Sequence, residues 1–151
     1  MAILKNKILI IGGNGYIGSR LKKEIKADIV DTNWFRYGKK CVDFKDLTES
    51  DYSKYNTIIL LAGHSSVKMS EGDLNSCFNN NVRNFVDLLG KLDKQKLIYA
   101  SSSSVYGSVG GKTVNEKYFG FEPYNQYDIS KHVADLYAQK SDVEYYALRF
   151  G

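Results

Sequence analysis

The feature that most constrains this chain is a junction near its start. A short apolar run, Lys7 to Ile11, leads straight into Gly12-Gly13-Asn14-Gly15-Tyr16-Ile17-Gly18. Such a run, bounded by glycines, reads as a strand buried on both faces. Beyond it, Ile17, Leu21 and Ile25 recur at helical spacing, so Gly15 to Ala27 reads as an amphipathic helix. A strand that turns at once into a packed helix needs glycines, which allow a tight turn and a close backbone approach. The turn also points helix amides and the positive end of the helix dipole at any anion placed there. The glycines can be counted as Gly13-x-Gly15-x-x-Gly18 or as Gly12-x-x-Gly15-x-x-Gly18. A triplet alone says little. Placed after a strand and before a helix, it reads as a pyrophosphate cradle.

The rest of the chain continues the alternation. Apolar runs at Asp28 to Asp31, Lys40 to Asp43, Thr57 to Ala62, Lys96 to Ser101 and Val143 to Phe150 read as strands. Leu74 to Leu92, with Phe78, Val82, Phe85, Val86 and Leu89, reads as one long amphipathic helix, and Gln126 to Gln139 as another. Strands alternating with helices predict an α/β fold: a doubly wound parallel sheet covered on both sides, a Rossmann fold. Gly107 to Pro123 is polar and without period, and it follows the carboxyl end of a strand, where open α/β sheets bind ligands. Asp31 closes the second strand at close to the ~20-residue offset of an acid that binds a ribose diol. A carboxylate there repels a 2′-phosphate, so the pattern favours NAD over NADP, with Arg36 as the contrary sign.

Composition narrows the class. At 151 residues, 43% hydrophobic and 25% charged, the chain fits one globular domain. A net charge of +4, spread rather than clustered, does not argue for nucleic acid. Ile8 to Ile11 is too short for a membrane span or a signal-peptide core, so the expected location is cytoplasmic. Cys41, Cys77, His64 and His132 lack metal-ligand spacing, and no metal is expected. His64, just after the strand Thr57 to Ala62, has two readings, a residue near the cofactor or, the favoured one, a solvated or hydrogen-bonded loop residue.

Chemistry enters with Tyr127 and Lys131, four residues apart and so on one helix face. A phenol titrates near ~10 and is a poor base at neutral pH. A cationic neighbour favours the phenolate and is expected to lower the tyrosine's pKa, so that it can take a proton from an alcohol. Among twelve tyrosines the spacing alone could be chance. The serine run Ser101 to Ser104 upstream, directly after a strand, gives it context.

In this order the residues resemble the extended short-chain dehydrogenase/reductase family, in its NAD-dependent epimerase/dehydratase branch. The fingerprint is Gly12-x-x-Gly15-x-x-Gly18, with Tyr16 and Ile17 inside it. Asp43-Phe44 looks like the family's adenine contact, Leu61-Ala62-Gly63 like its stretch beside the cofactor, and Asn81-Val82 like its Asn-Val. Ser102 to Gly107 is similar to its Ser-Ser-x-x-Val-Tyr-Gly, and Tyr127 to Lys131 to its Tyr-x-x-x-Lys. The resemblance implies an NAD cofactor held by these residues, Asp31 and Lys131. It implies a catalytic Ser102, Tyr127 and Lys131, a nucleotide-sugar substrate near Ser103 and Ser104, and a homodimer through helices 74–92 and 126–139. Dehydratases of the family carry Asp-Glu where this chain has Ser103-Ser104, which leaves an epimerase or a reductase. A non-catalytic NAD-binding module is the third reading. Gln126 stands where the family often has proline, which puts that turn in question. Leu148-Arg149-Phe150-Gly151 resembles the opening of a longer segment. The chain is therefore expected to be an amino-terminal portion, residues 1–151, without the substrate domain; its activity alone stays open.

Overall fold

A computed structural model describes residues 7–32, 42–118 and 122–151. Five strands form one sheet: β1 (Ile8–Ile11), β2 (Asp28–Val30), β3 (Thr57–Leu60), β4 (Lys96–Ser102) and β5 (Tyr145–Phe150). Their spatial order is β2-β1-β3-β4-β5, and every pair is parallel. The helices are α1 (Tyr16–Glu24), α2 (Glu49–Tyr52), α3 (Val67–Gly72), α4 (Leu74–Phe78), α5 (Asn84–Lys91) and α6 (Gln126–Lys140). This is the Rossmann-like architecture that the alternation of apolar runs predicts.

One face of the sheet carries the main core. Leu9, Ile11, Ile58, Leu60, Leu97 and Tyr99 point there and pack against α5 and α6. By strand alternation Ile10 and Ile59 point to the other side, yet both are buried. Each fully buried Leu or Ile contributes about 1.5–3 kcal/mol relative to exposure. Along β5 the alternation divides differently. Arg149 turns toward α6, bonding its Asp135, whereas Tyr146, Leu148 and Phe150 are 50%, 42% and 42% exposed.

Strand order reverses at β1: β2 lies on one side of it, while β3, β4 and β5 follow on the other. Right-handed crossovers then place α1 opposite α5 and α6. The carboxyl ends of β1 and β3, joined by the Leu61 N–H to the Ile11 carbonyl, lie at this reversal, and such a switch point is where open α/β sheets take ligands.

Three expectations change. The strand expected over Lys40 to Asp43 falls partly outside the described residues, as do Arg36 and Cys41, and Val42 and Asp43 belong to no strand. Instead Asp43 caps a 3₁₀ turn, Phe44–Asp46, accepting from the Lys45 N–H. The expected helix over Leu74 to Leu92 is interrupted: Asn79–Arg83 forms a wide π turn between α4 and α5. Three consecutive asparagines occupy its start, and one, Asn81, turns its side chain inward, as described below. The short helices α2 and α3 follow from side-chain caps at Thr48 and Ser66 that the apolar pattern does not reveal. Among the described residues no helix is long and apolar enough to cross a membrane, and no group of three His, Cys, Asp or Glu could hold a metal ion.

Candidate active site

The glycine turn is built by steric exclusion. Gly12 sits at φ +84°, a region that favours glycine, and a Cβ on it would lie 2.7 Å from the Ala62 nitrogen. A Cβ on Gly18, which is buried in the first turn of α1, would lie 2.3 Å from the Gly12 carbonyl oxygen. Helix, turn and β3 therefore close on one another only because these side chains are missing. A Cβ on Gly13 would lie 2.5 Å from the Ile29 Cγ2, so the count from Gly12 and the count from Gly13 both begin at a glycine that the packing requires. Gly15 is the extended N-cap of α1 and has no side chain to occupy the helix amides. Tyr16 and Ile17 follow, both exposed, with the Arg20 guanidinium stacked 3.9 Å from the Tyr16 ring centre.

Asp31 braces the turn from the end of β2: its carboxylate accepts from the Asn14 N–H at 2.8 Å. Beside it lies a cavity of about 220 Å³ lined by Gly12, Asp31, Asp43, Phe44, Ala62 and Gly63, which the sequence pattern assigns to the cofactor. Leu61 stands behind it, its N–H bonded to the Ile11 carbonyl at 2.8 Å. The cavity wall also includes Thr32, Met69 and Asn80, which the pattern does not single out, and His64, whose place just after the strand was the sign of a position near the cofactor.

Asn81 is buried and does not line this cavity. Its Oδ1 accepts from the His64 N–H at 2.8 Å, and its Nδ2 donates to the His64 carbonyl at 3.1 Å. The same Nδ2 reaches the Ser130 hydroxyl at 3.0 Å. Ser130, between Tyr127 and Lys131, in turn donates to the Tyr127 carbonyl at 2.7 Å. One amide thus ties the loop after β3 to the first turn of α6. The π turn carries this side chain inward, and no pattern of apolar residues forecasts it.

α6 begins with a reciprocal cap. The Asn125 side chain accepts from the Asp128 N–H at 3.0 Å, and the Asp128 carboxylate accepts from the Tyr124 N–H at 3.1 Å. Gln126 therefore opens the helix without a proline. The cap fixes Tyr127, which is buried, with the Ser102 hydroxyl near enough to act on its phenol. Ser102 ends β4, and its Oγ also accepts from the Ser104 N–H at 3.1 Å. Ser103 is exposed, while the Ser104 hydroxyl is buried with no hydrogen-bond partner among the described residues.

Lys131 lies one turn on, its ammonium 5.8 Å from the Tyr127 ring centre. Its Nζ donates to the Ala100 carbonyl at 2.9 Å. Burial pulls the lysine down to about 8. The expectation that Lys131 lowers the tyrosine is not met in this state. Burial pushes the Tyr127 phenol above its usual range, and the Ser102 hydroxyl opposes that rise. Burial outweighs what a lysine held on a carbonyl, and itself costly to charge, does for the phenolate.

Known proteins share this fold. The UDP-glucose 4-epimerase of Thermus thermophilus, solved with NAD, superposes with a TM-score of 0.77 at 25% identity, over 96% of this chain and 55% of that one. MoeE5, solved with UDP-glucose and NAD, gives 0.79 at 26% identity over 96% and 54%. A curated relative from Methanocaldococcus jannaschii is 26% identical over 95% of this chain and 54% of its own. The chain thus spans about half the length of the curated relative and of these solved structures. A model of the NAD dependent epimerase/dehydratase family matches residues 8–150. The chain belongs to the NAD dependent epimerase/dehydratase family.

Proposed function

We propose that this chain is the NAD-binding and proton-transfer part of a nucleotide-sugar epimerase. The observation that carries the reading is the convergence of Ser102, at the end of β4, on the buried Tyr127 phenol of α6, with Lys131 one turn along the same helix. The fit to a dinucleotide rests on the turn that a Cβ at Gly12 or Gly18 would fill, and on the cavity closed by Asp31 and Asp43. Gly15, Tyr16, Ile17 and Gly18 would face the pyrophosphate, Asp31 the ribose diol, and Asp43 with Phe44 the adenine. NAD, when bound, supplies the hydride acceptor and gives the hydride back.

The protein's share is proton transfer and placement. Tyr127 takes the proton from a sugar hydroxyl, and Ser102 hydrogen-bonds the same oxygen and orients it. A raised phenol is a poor base, so the site needs positive charge nearby before Tyr127 ionises; Lys131, moved from Ala100, is the resident source. Turning over of the resulting keto-sugar, followed by return of the hydride to its other face, gives epimerisation. Ser103-Ser104 offers no acid and base for eliminating water, which favours this over dehydration.

On this reading residues 1–151 form the cofactor domain, and most sugar-nucleotide contacts belong to the part of the relatives that this chain does not span. Exposed Leu74 and Phe78 on α4, with Ile129, Leu136 and Tyr137 on α6, support pairing of two copies through these helices. The test is incubation with NAD and UDP-glucose, with the sugar's configuration followed by NMR. An epimerase retains tritium placed on the reacting carbon, whereas a reductase passes label from NADH into released product. Unchanged turnover in Tyr127→Phe would sink the mechanism.

A further inference from the structure

Two turns beyond Tyr127 and one beyond Lys131, on the same face of α6, stands Asp135. Each of its oxygens is engaged: Oδ1 accepts from the Tyr99 hydroxyl at 2.7 Å, and Oδ2 from the Arg149 Nε at 3.3 Å. Both side chains are largely withdrawn from water, 11% exposed for Asp135 and 24% for Arg149. Arg149 does not stop at this pair. Its Nη1 donates to the Tyr106 hydroxyl at 3.0 Å and to the Glu116 carbonyl at 3.2 Å, and its guanidinium lies 4.9 Å from the Tyr106 ring centre.

These bonds matter because of where Tyr106 sits. A 3₁₀ turn, Ser103–Tyr106, starts from Ser102 and ends at Tyr106. At its near end the Ser102 Oγ is held by the Ser104 N–H. At its far end the only side-chain hydrogen bond from the described residues is the one Arg149 gives to Tyr106. In the sheet register Arg149 pairs with Ser101, one step before Ser102. One planar cation therefore links the turn that carries the serine to the helix that carries the tyrosine. A guanidinium suits this, since its donors leave at fixed angles and can serve separate acceptors together.

We propose that Arg149, held by Asp135, is a positioning residue that sets the separation of the Ser102 hydroxyl and the Tyr127 phenol. Its guanidinium pins the far end of the Ser103–Tyr106 turn to α6, and so fixes where the turn delivers Ser102. The role deepens the proton-transfer reading above and assigns Arg149 no contact with substrate.

The test reads the phenol directly, without substrate. The full chain is labelled with tyrosine carrying carbon-13 at Cζ, and the Tyr127 signal is assigned by its loss in Tyr127→Phe. Ser102→Ala calibrates the displacement caused by removing the hydroxyl partner. Arg149→Met is expected to move the Tyr127 signal most of the way to the Ser102→Ala position while Ser102 itself is intact. A merely structural arginine would leave it in place. Tyr106→Phe, which deletes one hydroxyl and leaves the Arg149–Asp135 pair, is expected to give a smaller displacement in the same direction, and stands in if Arg149→Met does not fold. An unmoved signal in the folded variants overturns the proposal, as does a Ser102→Ala signal that stays put. Turnover that survives Tyr127→Phe would sink the functional reading and leave this result untouched.

Discussion

The two ends of the cleft are made of different materials. Around Gly12 and Gly18 the site is main chain: absent side chains, a left-handed turn, and amides at the start of α1. Around Tyr127 it is side chain: a phenol, a hydroxyl, an ammonium, and the amide and guanidinium that hold them. A main-chain site excludes added atoms and is indifferent to chemistry beyond that. A side-chain site tolerates small changes of shape and fails when one functional group is lost.

Substitutions can break this contrast or sharpen it. Tyr127→Phe keeps the ring and deletes the proton acceptor, so turnover should fall by about 10²–10⁴ in kcat. NAD affinity, measured calorimetrically, should stay close to that of the parent. Gly18→Ala is the mirror experiment. The new Cβ meets the Gly12 carbonyl at 2.3 Å, so the turn must shift. We expect a stability loss of about 1–3 kcal/mol in urea melts and a marked loss of NAD affinity, while the Tyr127–Ser102 pair is unaffected.

Asn81→Ala attacks the bridge between the two ends. It strips partners from the His64 N–H and carbonyl and from Ser130, at a cost of about 1–3 kcal/mol. Unlike the first two it should damage both cofactor affinity and kcat; damage to only one would mean that the ends are mechanically independent. On stability alone, the smallest expected effect is that of Lys131→Met, which also removes the charge that Tyr127 needs in turnover. The folded lysine titrates at about 8, below its usual 10.5. The unfolded chain therefore holds more protons between these values, and stability should rise with pH through that window. The charging penalty is fully present below about pH 8. Removing the ammonium should raise stability at pH 7 by roughly 1–2 kcal/mol and flatten the rise, as read from urea midpoints at pH 7 and 9.5.

The same contrast explains what was legible in the sequence. The glycine turn could be read because its requirement is local: strand, turn and helix follow one another, and the steric rule acts on neighbours. Asp31 was legible from its offset of about 20 residues along the strand–turn–helix–strand unit, and its carboxylate accepts from Asn14 in that turn. The Tyr127–Lys131 spacing pointed to one helix face, but not to the Ala100 carbonyl that holds the ammonium, 31 residues away. Nor could composition reveal that Asn81 reaches Ser130 across 49 residues, or that Arg149 reaches Tyr106 across 43. Long-range polar contacts leave no periodic trace. Short capped helices such as α2 and α3 escape for a different reason, since a few residues give too little apolar repeat to detect.

The bare ladder on β5 bears on how the chain behaves in a tube. Tyr146, Leu148 and Phe150 project from the last strand of the sheet, and a strand at a sheet's edge is a template for another. In a protein of these 151 residues alone, a net charge of +4 would oppose such pairing, and added salt would screen it. The colloidal life of such a protein would be set less by its cleft than by its rim, with dilute, low-salt handling favouring dispersal.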